Sequence, residues 1–212
     1  MEITYIGHSC FLIKFPSGFS VCFDPYHEGA VPGLSAVNVT ADKVFCSHSH
    51  GDHSAAGEIG SPDAPYAGSE PEVEVIHTFH DEVEGAKRGN NDITIITCDG
   101  LKVVHSGDLG CTLSSEQLEK IKGCDLLMIP VGGFYTIDSE QAFEISEQIG
   151  PDIVIPMHYS GDGFGYDEIS GRERFVELIK NRSERKVIEG GNVFETGTCT
   201  NALLLMEPSR KI

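Results

Sequence analysis

Four side chains able to bind a metal ion fall within six positions at His48-Ser49-His50-Gly51-Asp52-His53, directly after an apolar run that ends at Cys46. With nine histidines in 212 residues, chance places this H-x-H-x-D-H pattern in roughly one chain per thousand of this composition. Packing does not explain it, because three imidazoles and a carboxylate clustered together leave polar groups in need of partners. His48 and His50, at i and i+2, project from one side of an extended segment toward a single ion. Asp52 and His53, where a new turn begins, reach toward a neighbouring one. Four donors are too few for two ions, so the fold must bring further donors from elsewhere.

The rest of the chain supplies strand ends from which such donors can come. Runs rich in β-branched and aromatic residues at 3–6, 10–15, 19–23 and 44–46 predict a meander, with Pro16-Ser17-Gly18 as one of its turns. Runs at 73–76, 93–98 and 101–105 continue the pattern, the last two joined by Asp99-Gly100, a two-residue hairpin signal. Buried-looking runs at 126–131, 153–156 and 202–206 alternate with helices whose starts are marked by Ser114 with Gln117, Asp138 with Gln141 and Ser170 with Glu173, all at capping-box spacing. Gly150-Pro151 stops the second helix. This order predicts a single α/β (α+β) domain over residues 1–212, two sheets with amphipathic helices on their outer faces. The loops 28–33 and 161–165 are the candidates for mobile surface segments.

Three strand ends carry donors: His80-Asp81 after 73–76, Ser106-Gly107-Asp108 after 101–105, and Met157-His158-Tyr159 after 153–156. His77 competes with His80, which is preferred because it opens a turn-rich segment while His77 lies nearer the strand interior. Asp24, after Phe23, is the first candidate to fix a histidine from behind. His105 reads equally as such a support or as an interior strand residue. Tyr159 is a candidate hydrogen-bond donor beside His158, with packing as the alternative. His8 and His27 read as rim residues without metal contact, and Lys87 and Arg88 as a solvated turn, with the grip of a substrate anion as the alternative. Cys111 lies three residues beyond Asp108, near enough for a metal or redox role to be weighed against burial.

The order of these motifs resembles the metallo-β-lactamase-fold superfamily: Phe23-Asp24-Pro25, then H-x-H-x-D-H, a lone His, Gly-Asp, and a late His. The resemblance covers nearly the whole chain. The stretches from His80-Asp81 to Arg88-Gly89-Asn90, His105 to Gly110, Pro130-Val131-Gly132-Gly133 and Pro156 to Tyr159 are similar to its small single-domain branch, the ascorbate-phosphate lactonase-like group. The resemblance implies a four-layer αββα sandwich with metals at one edge. It also implies His48, His50 and His80 on one metal, Asp52, His53 and His158 on the other, and Asp108 bridging both. Where that branch often carries a His after Leu-Gly, this chain has Cys111.

Five imidazoles and two carboxylates without a thiolate describe a borderline site suited to zinc, with manganese or iron as alternatives. Seven donors over two divalent ions leave positions for solvent and substrate, so the expectation is catalysis by a hydroxide shared between the ions, with Asp52 orienting it. The expected activity is that of a metal-dependent hydrolase on a small anionic molecule with a lactone, amide, thioester or phosphoester bond. Two cations bring +4 against −2 from Asp52 and Asp108, so such a pocket attracts anions although the chain carries a net charge of −18. The alternatives are a phosphodiesterase or nuclease of the ribonuclease Z-like type, and a metal-binding or sensing protein without turnover. With 15 Lys+Arg against 33 Asp+Glu, an extended nucleic-acid partner is not expected. No apolar run approaches the ~18 residues of a membrane span. Seven cysteines without a C-x-x-C pair read as reduced thiols, hence a cytoplasmic location.

Overall fold

The computed structural model describes residues 1–210. The chain begins with β1 (Glu2–Gly7), β2 (Cys10–Lys14), β3 (Ser20–Phe23) and β4 (Lys43–Phe45), followed by a 3₁₀ turn at Ala56–Glu58. Then come β5 (Glu72–Phe79), β6 (Asn90–Cys98), β7 (Leu101–His105), α1 (Ser115–Ile121), β8 (Leu126–Pro130), α2 (Ser139–Ile149), β9 (Ile153–Met157) and α3 (Glu173–Arg182). The last strands are β10 (Lys186–Glu189), β11 (Val193–Glu195) and β12 (Ala202–Leu205). They form a five-stranded sheet ordered β11-β1-β2-β3-β4 and a seven-stranded sheet ordered β10-β12-β9-β8-β7-β6-β5.

Registers show why the sheets face each other. Ile3 pairs with Ile13 and Ile13 with Val21, while Tyr5 pairs with Phe11 and Phe11 with Phe23, so one face of the first sheet is a continuous apolar surface. All six side chains are buried. In the second sheet β8 and β9 are buried along their whole length, as expected of parallel strands covered on both faces. Each α-helix connects parallel strands of this second sheet, and α2 packs against both α1 and α3. The two-sheet α/β architecture agrees with the sequence expectation. The segment 46–71 that follows the first sheet carries one short 3₁₀ turn, Ala56–Glu58.

Local chemistry accounts for most boundaries. Asp99 and Gly100 both take positive φ (54° and 75°), the requirement of a tight hairpin between β6 and β7. Ser114 and Asp138 form complete capping boxes with Gln117 and Gln141, and Gly150 ends α2 in the left-handed conformation. The third box does not form. The N-cap of α3 is Arg172, with no side-chain cap, and Glu173 is its first residue. Ser170 is instead tied to the loop beneath His158, its N–H donating to Gly132 O at 2.8 Å. The edge strands β10 and β11 are short and carry charged ends, which hides them from a hydrophobic pattern. The two glycine-rich loops read as mobile pack on one another, Gly165 N–H donating to Pro32 O at 3.0 Å. No helix among the described residues is long and apolar enough to cross a membrane.

Topology brings strand ends of both sheets to one edge. β1 and β3 both run antiparallel to β2, and β4 runs parallel to β3, so all three end on the same side. In the second sheet β5 and β7 both oppose β6, and β9 runs with β7 through β8. Hydrogen bonds join the two edges there: Asp92 N–H donates to Ser47 O (2.9 Å), and His158 N–H to His8 O (3.0 Å). Gly107 sits in this junction with φ +55°, and a Cβ at that position would overlap Ser47 and Asn91 side-chain atoms. Gly100 also has positive φ, but open space around it. Urea denaturation of Gly107→Ala is therefore expected to show a loss of about 1–3 kcal/mol, larger than that of Gly100→Ala. Equal losses would mean that crowding at the junction does not limit stability.

Candidate metal centre

Three residues of the junction, His8, Asp24 and His158, have φ of 57°, 43° and 51°. Left-handed backbone is costly for residues with a Cβ and recurs where the surrounding structure enforces it, typically at functional sites. Each follows a strand directly and reverses the chain so that its side chain turns inward. Asp24 organises the loop after β4: its carboxylate accepts Ser47 N–H (2.6 Å), Ser47 Oγ–H (2.6 Å) and His53 Nδ1–H (2.8 Å). His53 is thereby fixed as the tautomer whose Nε2 faces inward. Ser47 Oγ, having donated to Asp24, accepts from His48 Nδ1 at 2.9 Å, which turns His48 Nε2 inward as well.

The inward nitrogens converge on one oxygen. Asp108 Oδ2 lies 3.1 Å from His158 Nε2, 3.2 Å from His53 Nε2, 3.2 Å from His80 Nε2 and 4.0 Å from His48 Nε2. On one side His48, His50 and His80 each offer a ligand atom, all within 4.8 Å of one another. On the other side His8, Asp52, His53 and His158 do the same. His48 Nε2, His53 Nε2 and Asp108 Oδ1 are buried without a hydrogen-bond partner. Buried polar atoms left unpaired cost free energy, and this many around one carboxylate fits a cradle for divalent cations.

Ionisation states suit that role. Burial, reinforced by His53, pushes the His48 imidazole down to about 3, and burial followed by His158 pushes His8 down to about 4. Burial raises the Asp108 carboxyl, but the charges of His158 and His53 outweigh it and hold it well below the usual range. Neutral imidazoles and ionised carboxylates are the forms that coordinate metal. His53 goes the other way: burial disfavours its charge, yet Asp108 and Asp24 raise it well above an ordinary histidine. Its Nε2 thus sits in a field that favours a cation.

The structure brings His48, His50, Asp52, His53, His80, Asp108 and His158 together, with Asp24 behind His53. His105 lies further back. Its Nε2–H donates to Ser9 O (2.8 Å), its Nδ1 accepts Gly107 N–H (3.2 Å), and Asp24 is 3.9 Å away. Tyr159 is not at the centre. The left-handed turn at His158 sends the next side chain to the opposite side, where the Tyr159 hydroxyl accepts from Arg172 (2.9 Å) and donates to Met206 O (3.4 Å). His77 is 84 % exposed and pairs with Asp92 at 2.6 Å, and His27 pairs with Glu58 at the surface. Cys111 belongs to none of the donor groups.

The sequence reading placed His8 at the rim without metal contact and did not single out Tyr166, yet both reach the cluster. His8 is buried, its Nε2 3.3 Å from Asp52 Oδ2. Its signal was topological: β1 runs parallel to β3, so the residue after β1 emerges on the same edge as Asp24. The Tyr166 hydroxyl lies 3.2 Å from Asp52 Oδ2 and 2.9 Å from Ala30 O, its one proton shared between these acceptors, in a loop whose conformation has no sequence signature. Together with Tyr135 and Arg88 it lines a cavity of about 310 Å³ that opens onto His50, Asp52, His80, Asp108 and His158.

Comparison with known proteins places this geometry. A family model described as a beta-lactamase superfamily domain matches residues 2–158. A UPF0173 metal-dependent hydrolase of Carboxydothermus hydrogenoformans is 28 % identical over 193 residues, covering 76 % of this chain and 85 % of its own. A Thermotoga maritima protein proposed to be a Zn-dependent hydrolase of the metallo-β-lactamase superfamily superposes with a TM-score of 0.76 at 27 % identity, covering 98 % of this chain and 99 % of its own. Human tRNase Z, short form, shares the fold at a TM-score of 0.54 and 11 % identity, over 76 % of this chain and 93 % of its own.

If Asp24 sets the His53 and Ser47 geometry, Asp24→Asn is expected to weaken zinc binding about 10–100-fold, read by competition with a chromogenic chelator. His77→Ala is expected to leave it unchanged. Equal loss in both variants would contradict the arrangement described here.

Proposed function

The chain belongs to the beta-lactamase superfamily, and from that premise we propose that it is a metal-dependent hydrolase holding two divalent cations, most suitably zinc, and cleaving a small anionic molecule. The observation that carries this reading is Asp108 Oδ2, set among four imidazoles and flanked by two donor groups beneath a cavity of about 310 Å³. The relatives named metal-dependent hydrolases support it. His48, His50 and His80 would hold one ion, His53, His158 and Asp52 the other, and Asp108 both. Such a pair supplies an acidified water as nucleophile and an electrophilic pull on the bond to be broken.

The chain's own residues divide the remaining work. Burial pushes the Asp52 carboxyl up, but the hydrogen bond from His8 and the charge of His53 outweigh it and hold it below the usual range. Asp52 therefore remains an acceptor that orients the attacking water. His8 and Tyr166 both meet its Oδ2 and hold that oxygen in place. Burial, then the charge of Asp52, pushes the Tyr166 phenol up, so this hydroxyl keeps the proton with which it meets Asp52 and Ala30 at the cavity wall. The cavity's size supports a small molecule with a lactone, amide, thioester or phosphoester bond. A polynucleotide draws no support, since Arg88 is the one Lys or Arg in the cavity lining and the chain's net charge is −18.

The test is metal content and turnover of reconstituted protein on a panel of lactones, thioesters and phosphodiesters with zinc or manganese. Asp108→Ala is expected to lose most bound metal and to lower turnover more than a hundredfold or so, beyond the loss caused by removing a supporting hydrogen bond. Full metal retention and activity in Asp108→Ala would contradict the shared-ligand role. Bound metal without turnover of any panel member would favour a binding protein.

A further inference from the structure

The segment between β5 and β6 is built around a single carboxylate. Asp81 accepts four backbone N–H groups: Val83 (2.9 Å), Gly85 (2.9 Å), Lys87 (2.9 Å) and Arg88 (2.7 Å). The base of this loop is closed by His80 N–H donating to Gly89 O at 3.0 Å. Arg88 is thus fixed through its own backbone, one hydrogen-bonded step from a residue of the donor cluster. Its neighbour Lys87 is turned outward and bound to Glu82 at 2.6 Å.

The guanidinium is placed but not used by the protein. Its Cζ lies 5.5 Å from the centre of the Tyr135 ring, within cation–π range. Among the described residues no acidic group lies within 4.0 Å of it. Arg172, Arg174, Arg185 and Arg210, by contrast, each pair with a glutamate. Tyr135 is itself fixed, since Ile137 N–H donates to Leu109 O at 2.8 Å in the loop that follows Asp108. Arg88 is half-buried and borders two spaces: the cavity of about 310 Å³ over the donor cluster, and a neighbouring one of about 520 Å³ lined by Ser47, Ser49, His77 and Asn90 among others. It is the one Lys or Arg side chain in either lining, and His50 is shared with it.

We propose that Arg88 is the specificity-determining residue of the substrate cavity, binding an oxyanionic substituent, a carboxylate or a phosphate, that the substrate carries beside its scissile bond. A guanidinium offers a planar fork of N–H donors matched to two oxygens of such a group, and a partly desolvated one without a protein acceptor is completed by a ligand that supplies them. The remainder of the substrate extends past His50 into the larger space. The inference deepens the hydrolase reading and rests on it for the location of the scissile bond.

Isothermal titration of zinc-loaded protein with phenylphosphonate and, separately, benzoate tests it, with benzamide as the neutral control. Arg88→Gln is expected to weaken the preferred oxyanion at least about tenfold, the low end for a charge-assisted hydrogen bond, with zinc per chain unchanged. Arg88→Lys should restore part of the affinity, because it returns the charge without the fork. Tighter phenylphosphonate identifies a phosphate-bearing substrate, and tighter benzoate a carboxylate. Equal affinity in Arg88→Gln and the unaltered chain, no oxyanion binding by the unaltered chain, or loss of zinc in Arg88→Gln would each overturn the inference. Failure of the hydrolase reading is separate: it appears as absence of turnover on the substrate panel with both zincs bound, whatever residue 88 is.

Discussion

Asp108 Oδ2 is the point on which the molecule is organised. Four imidazoles approach it from three different loops, and those loops leave strands of two different sheets. Bringing so many nitrogens and carboxylates out of water is unfavourable unless something satisfies them. The apolar faces of the two sheets supply the opposing stabilisation. Ile3, Tyr5, Phe11, Ile13, Val21 and Phe23 from the first sheet, and the fully buried β8 and β9 of the second, form a core rigid enough to hold the polar cluster at its edge.

A second tier translates that rigidity into chemistry. Asp24 and Ser47 select the inward-facing nitrogens of His53 and His48, while His105 ties the end of β7 to Ser9 across the sheets. On the far side His8 and Tyr166 fix Asp52. Asp81 plays the same part for Arg88, by gathering backbone N–H groups rather than side chains. Donor orientation and cavity shape thus share supports: the loop that carries Arg88 begins at His80, and the loop that carries Tyr135 is bonded to the one that carries Asp108.

Much of this was legible in the sequence because it depends on local patterns. The H-x-H-x-D-H run, the strand-end positions of His80, Asp108 and His158, the Asp99-Gly100 hairpin and two of three capping boxes follow from spacing and turn chemistry. What was not legible depends on direction and distance in space. His8 looks like a turn residue until β1 is known to run parallel to β3. Tyr159 looks like a partner of His158 until the left-handed turn at His158 sends it into the core. Ser170 has the spacing of a cap, but its backbone is committed to Gly132. Tyr166 and Tyr135 reach the cavity from irregular loops whose course is set by packing, and Arg88 reads as a charged turn until the four bonds to Asp81 are seen.

The arrangement of these donors around Asp108 implies one centre for two cations. Crystals of zinc-reconstituted protein, with diffraction recorded on either side of the zinc absorption edge, show whether both ions bind there. Two anomalous peaks flanking Asp108, one against His48, His50 and His80 and the other against Asp52, His53 and His158, are the predicted result. No peak at the cluster, or zinc bound only at surface sites such as His77 with Asp92, would contradict it.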